Sequence, residues 1–319
     1  MSHLYGDERL WKYVSMVGFA EHYVLNPDGQ DDDATPFATF QRQRRSRPPE
    51  EAIFAGVVLN DWRGLDASAV ELRVLAFKEA GIDYIRLHCD LGSSTGALVD
   101  EPLCLARFGW LAQVAQICQK HEVVPLALLQ LPWREPMRGA SSDYFKQAVE
   151  YFAAALKKQM VDPKKMLFET RPPMALSAQE EKALGGAART SMGMEIGESM
   201  FEVVSKAFDG NPIAGFCVAG GSTKGDLPQA MEDDTQNAVR QGMRRLARRR
   251  WGYDVCFWEM GAKLMLQPKV GRLWGPTPTE RDAARELFRV NAEDMADDTS
   301  SPLGSPACPP ESSSSKPSL

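Results

Sequence analysis

Three side chains with chemical uses fall on alternate positions of one short segment, GIDYIRLHCDLG at 81–92. If the segment is a β-strand, Arg86, His88 and Asp90 share one face, while Leu87, Cys89 and Leu91 share the other. Neighbours in such a row stand ~6–7 Å apart along the strand. A guanidinium can grip an anionic or hydroxyl-bearing group, an imidazole can carry a proton, and a carboxylate can act as acid, base or metal ligand. An apolar core does not call for this row. The open end of a parallel sheet does, because α/β enzymes place their chemistry there.

Other strand-like runs end in polar groups as well. Asp61 follows IFAGVVLN, and Gln130 closes VVPLALLQ. Glu169 and Arg171 share a face in LFETRPP, as an ion pair or as a joint grip on a polyol or carboxylate. Ser222, Thr223 and Lys224 lie in AGGSTKGD, where backbone N–H groups of a Gly-rich turn can cradle a phosphate or carboxylate. Glu259 and Lys263 lie in FWEMGAK.

Glu169 and Glu259 with His88 form an acid/base set, the arginines and remaining polar groups binding substrate. Alternatively, Asp90, Glu169 and Glu259 hold a divalent cation such as Mg or Mn. The chain has four histidines and only His88 stands on a strand end, which argues against a three-histidine zinc centre. Lys224 or Lys263 in a desolvated pocket is a further option, as a Schiff-base amine.

The elements that must position these groups alternate. Near-continuous apolar runs at 53–62, 123–133 and 213–221 read as strands covered on both faces, and the segments around 81–92, 165–173 and 253–261 complete six. Helical stripes lie between them. Val70, Val74 and Phe77 follow a cap at Asp66 or at Ser68 with Glu71, and Gly81 stops that helix. Trp110, Val114 and Cys118, then Phe145, Val149, Phe152 and Leu156, mark two more. Residues 198–208, 235–250 and 277–291 supply the rest, with RRLARRR at 244–250 as a solvated C-terminal cluster.

Strict alternation implies a parallel sheet, either an open doubly wound one or a closed barrel. No GxGxxG or GxxxxGK[ST] loop supports the open sheet, and the repeat length fits an irregular or incomplete (β/α)8 TIM-like barrel. Two units are then missing. Tyr13–Val24 can supply one, and 189–197 or 264–274 the other. The expected organisation is an N-terminal extension at 1–50, a barrel at 51–291 and a disordered Ser/Pro-rich tail at 292–319. In the extension, Arg42, Arg44, Arg45 and Arg47 read as a solvated connector or as an anion-binding run.

A formal net charge of −6 argues against nucleic acid or anionic membrane as a partner, leaving a small molecule. No apolar run reaches the ~18–20 residues of a membrane span. The start, MSHLYGDERLWKY, lacks a signal-peptide pattern, and the six scattered cysteines form no CxxC pair, so a cytoplasmic protein with structural thiols is expected.

The alternation and the arginine of GIDYIRLH resemble sugar-handling TIM-barrel enzymes. Several glycoside hydrolase families have a similar Gly-x-x-x-x-Arg segment on their second strand. They pair it with Asn-Glu after strand four and a second Glu on strand seven. Here Phe168 precedes Glu169, a departure, and Glu259 matches the second carboxylate only if the N-terminal region adds a strand. Xylose-isomerase-like barrels gather Glu, Asp and His round a divalent metal, but their histidine motifs are missing. The resemblance spans 52–290 and reaches the level of the fold; with the acid/base set above, the expected function is that of an isomerase, epimerase or lyase of a small polyhydroxy or phosphorylated carbohydrate, with a glycoside hydrolase or a non-catalytic binding barrel as alternatives.

Overall fold

The computed structural model describes residues 16–25, 36–45, 53–59, 62, 64–91, 101–130, 140–170, 183–219, 229–251 and 256–259. Seven strands alternate with helices: β1 Met16–Ala20, α1 Glu21–Leu25, α2 Pro36–Arg45, β2 Phe54–Leu59, α3 Ala67–Glu79, β3 Tyr84–Asp90 and α4 Glu101–Lys120 come first. They continue with β4 Val124–Gln130, α5 Ala140–Lys158, β5 Leu167–Thr170, α6 Gly186–Ala207, β6 Gly215–Ala219, α7 Gln229–Trp251 and β7 Cys256–Glu259. All neighbouring strands pair in parallel.

Strand order is β1-β2-β3-β4-β5-β6-β7, the order of the chain itself. Parallel crossovers are right-handed, so a sheet that never reverses direction receives every helix on one side. An open doubly wound sheet needs a reversal, and none occurs among the described strands. The bare face is then left for the sheet to cover by curling on itself, as in a barrel.

Burial follows that division. On the helix side, Phe19, Ala55, Val57, Leu59, Ile85, Leu87, Cys89, Ala127, Leu129, Phe168 and Phe216 join one large apolar cluster with α3 to α7. The opposite face carries a separate small cluster of Tyr84, Leu126 and Leu167, with Met16 and Val124 packed against it. A Cβ on Gly56 would meet the Tyr84 ring at 2.0 Å, and one on Gly18 would meet its hydroxyl at 3.4 Å. The ring thus lies flat across two in-register glycines and closes the N-terminal floor of the inner face.

The missing first unit is β1, inside the Tyr13–Val24 stretch, so the sheet starts within 1–50. The stretch 189–197 is not a strand but part of α6. Its glycines explain the misreading: Gly193 and Gly197 are four apart and lie on one helical face, both buried. Gly197 meets the α7 backbone, its missing Cβ standing 1.9 Å from the Val239 carbonyl oxygen, and Gly242 meets the Met194 carbonyl at 2.2 Å. Residues 264–274, the 277–291 helix and the 292–319 tail lie outside the described residues.

Local chemistry sets the helix ends. Asp66, not Ser68, is the N-cap of α3: its carboxylate accepts from the Ala69 N–H at 2.8 Å. Gly81 takes φ +85 just past the end of α3, a conformation that side chains with a Cβ resist. Asp83 then ties the turn to the sheet. One of its oxygens accepts from the Ala55 N–H at 2.7 Å and the other from Arg44 at 2.9 Å. Arg44 also donates to the Gly81 carbonyl at 3.0 Å. Arg42, Arg44 and Arg45 are therefore helical, and Arg44 is an anchor of α2 rather than a solvated connector; Arg47 lies outside the described residues. The 244–250 cluster is largely solvated, as expected: Arg245, Arg249 and Arg250 are exposed, Arg245 pairing with Glu198 and Arg250 with Glu202, while Arg244 is the one buried arginine of the run.

Candidate functional site

Strand register arranges the inner face in rows. Arg86 stands beside Leu126, which stands beside Leu167. One step nearer the strand C-termini, His88, Leu128, Glu169, Cys217 and Phe257 form the next row. One step beyond the row of Cys89, Leu129, Thr170 and Val218 come the backbone positions of Asp90, Gln130, Ala219 and Glu259. Sequence positions from 88 to 259 are thus carried to one end of one sheet face.

At the centre lies an ion pair. Arg86 Nε donates to Glu169 Oε2 at 2.8 Å, and its Nη2 donates to Oε1, so the fork grips the carboxylate with both prongs. Glu169 is 1% exposed and the Arg86 side chain 18%. Arg86 belongs to the lower row and reaches diagonally across β4, past Leu128, to meet it. Above, His88 is exposed, in register with Glu169 two strands away, ~10 Å between backbones. Among the described side chains on the seven strands, Arg86, His88 and Glu169 are the only charged or imidazole-bearing ones.

The partner expected for Glu169 was Arg171; the described partner is Arg86, from a strand 83 residues away. Arg171, Asp61, Ser222, Thr223, Lys224 and Lys263 lie outside the described residues. Asp90, Gln130 and Glu259 are described by backbone alone. No group of three metal-ligating side chains occurs among the described residues. Glu169 also fits a metal poorly, because a divalent cation on its oxygens would face the guanidinium they already bind.

Two supports of the site carry no sequence signal strong enough to single them out. The Tyr144 hydroxyl on α5 donates to the Leu91 carbonyl at 3.3 Å, holding the chain just past Asp90. Trp62, next to Asp61, stacks on Phe77 at 6.0 Å and donates to Glu21 at 3.4 Å; Arg73 lies over its ring and pairs with the same glutamate. A lone Tyr or Trp in an apolar stripe reads as core, which each of these also is.

Counting β1 moves every strand number up by one. Arg86 lies on strand three and Glu169 on strand five, while strand four ends in Gln130. Glu259 falls on strand seven. By this count Glu259 has the strand number of the second carboxylate in the glycoside hydrolase pattern, Arg86 stands one strand later than the pattern's arginine, and Glu169 is not on strand four.

No protein-family model matches the chain, and no curated protein matches it. Solved structures do match. A fructose-bisphosphate aldolase from Plasmodium falciparum, solved with TRAP and a small-molecule inhibitor, superposes with a TM-score of 0.58 at 15% identity, covering 92% of this chain and 79% of that one. The fold is that of a TIM barrel. The protein ZgEngAGH5_4, solved with a cellotriose, also matches, with a TM-score of 0.45, 13% identity, and coverage of 92% of this chain and 76% of that one.

Proposed function

We propose that this TIM barrel is an enzyme acting on a small polyhydroxy or phosphorylated carbohydrate, as an isomerase, epimerase or lyase. The observation that carries this reading is the Arg86–Glu169 pair on the inner face with His88 in the row of Glu169, on the side of the strand C-termini, where barrel enzymes work. The likeness in fold to an aldolase points the same way.

In this reading His88 moves the proton at a carbon beside the substrate carbonyl. Arg86 holds Glu169 fixed in the same row as His88, and Glu259, in the row above, is the second acid/base group. Asp90, Gln130, Arg171, Asp61, Ser222, Thr223, Lys224 and Lys263 complete the rim. Buried cysteine side chains at 89, 104 and 118 support a cytoplasmic setting. A hydrolase is less favoured, since Glu169 stands on strand five and both its oxygens are engaged by Arg86.

The test is turnover on a panel of sugars, sugar phosphates and aryl glycosides, with alanine variants at His88, Glu169 and Glu259. His88→Ala should lower kcat about 10²–10⁴-fold while leaving the melting temperature unchanged, since the side chain is exposed. Turnover that survives all three substitutions sinks the assignment, and partner binding as the sole loss would favour the non-catalytic barrel.

A further inference from the structure

We infer that the floor of the barrel mouth receives the uncharged, hydroxyl-bearing end of the substrate, and that the Arg86–Glu169 pair makes it do so. This rests on the proposed carbohydrate reading and narrows its substrate class. An arginine pointing alone into a barrel would be a phosphate or carboxylate receptor. Here its charge is already matched by the buried carboxylate of Glu169, gripped by both Nε and Nη2. Beside Arg86 in its row the inner face is apolar, with Leu126 and Leu167, and one row below it is closed by Tyr84. The described side chains of β1, β2 and β4 add no charge to it.

An anion brought to this floor would be attracted by the guanidinium and repelled by the carboxylate at nearly the same distance. The two effects largely cancel, and the anion would still lose its hydration. A hydroxyl group loses far less on leaving water and can bond both to N–H groups and to oxygens. Any phosphate on the substrate is then bound at the rim, away from Arg86.

The experiment measures calorimetric affinities of the full chain for D-glucitol and D-glucitol 6-phosphate. The same titrations are made on Glu169→Gln and on the double variant Arg86→Leu/Glu169→Leu. Glu169→Gln leaves the guanidinium uncancelled, so the affinity of the phosphate relative to the neutral polyol should rise at least about tenfold over wild type. The double variant removes both charges; it should keep the wild-type ratio within about threefold and bind both probes more weakly. Comparing ratios cancels whatever the rim contributes in all three proteins. Circular dichroism and thermal melting establish folding, and the double variant remains informative if the single one unfolds.

An unchanged ratio in Glu169→Gln, a shifted ratio in the double variant, or failure of the wild type to bind the neutral polyol overturns the inference. Turnover on the sugar panel is read separately. Its persistence alongside an unchanged ratio removes this inference alone, whereas its absence removes the carbohydrate reading.

Discussion

Arg86 and Glu169 are each other's main reason for being tolerable inside the barrel. A carboxylate 1% exposed is costly unless a charge and good hydrogen bonds compensate it, and the forked contact supplies both. Truncating only the arginine should therefore be worse than removing the pair. Arg86→Leu is expected to destabilise the fold by about 3–5 kcal/mol, while Arg86→Leu/Glu169→Leu lands near wild type or above it. Urea unfolding of the three proteins reads the order directly. A single variant as stable as the double would mean that the pair contributes nothing to the fold. Cys118 is a residue of the opposite kind: burial pushes its thiol up to about 12, which makes it packing rather than chemistry.

Among the elements, the α6–α7 and α3–α4 contacts make distinct predictions. Alanine is the better helix former by about 1 kcal/mol, so Gly→Ala within a helix would ordinarily stabilise. At Gly197 the new methyl would stand 1.9 Å from the Val239 carbonyl oxygen, a backbone atom that moves only if the helices part. Gly197→Ala should therefore cost about 1–3 kcal/mol net. Gly109, inside α4 with nothing within 4 Å of its missing Cβ, is the control: Gly109→Ala should raise the melting temperature.

Where α3 meets the end of α4, Glu71 accepts from Lys120 and bonds His121, both at 2.6 Å. The Lys120 bond first, and then that of His121, hold the Glu71 carboxyl below its ordinary 4.5. A carboxylate lowered by folding stabilises the native state above its unfolded value and loses that contribution as pH falls through the folded one. The protection factors of amides at this junction should fall on acidification below about pH 4.5, and Glu71→Gln should abolish that step.

These elements also mark how far the sequence could be read. Strands β2 to β7 and the helices between them are legible because burial on both faces leaves long apolar runs, and helical stripes separate them. Gly193 and Gly197 defeated the same logic, since small residues at a close helix crossing imitate a strand bounded by turns. The row of Arg86, His88 and Asp90 is legible from alternation alone. Its pairing with Glu169 is not, because a register that carries position 86 to position 169 is set by three strands at once and leaves no trace in local spacing.

At the scale of the whole molecule, sheet order copies chain order, so each β/α unit rests on the one before it. The hydropathy pattern becomes regular only near residue 52, and a gene trimmed there would look complete. Such a version would lack β1, along with Arg44 of α2, which anchors the turn at Gly81. The backbone groups of β2 at Phe54–Val58 that pair with β1 would then be unclaimed. A strand so uncovered recruits whatever edge it next meets, commonly that of another copy. The shortened protein should elute from a sizing column as soluble aggregate, where the full chain does not. What looks in the primary structure like a dispensable preface is the first stave of the cask.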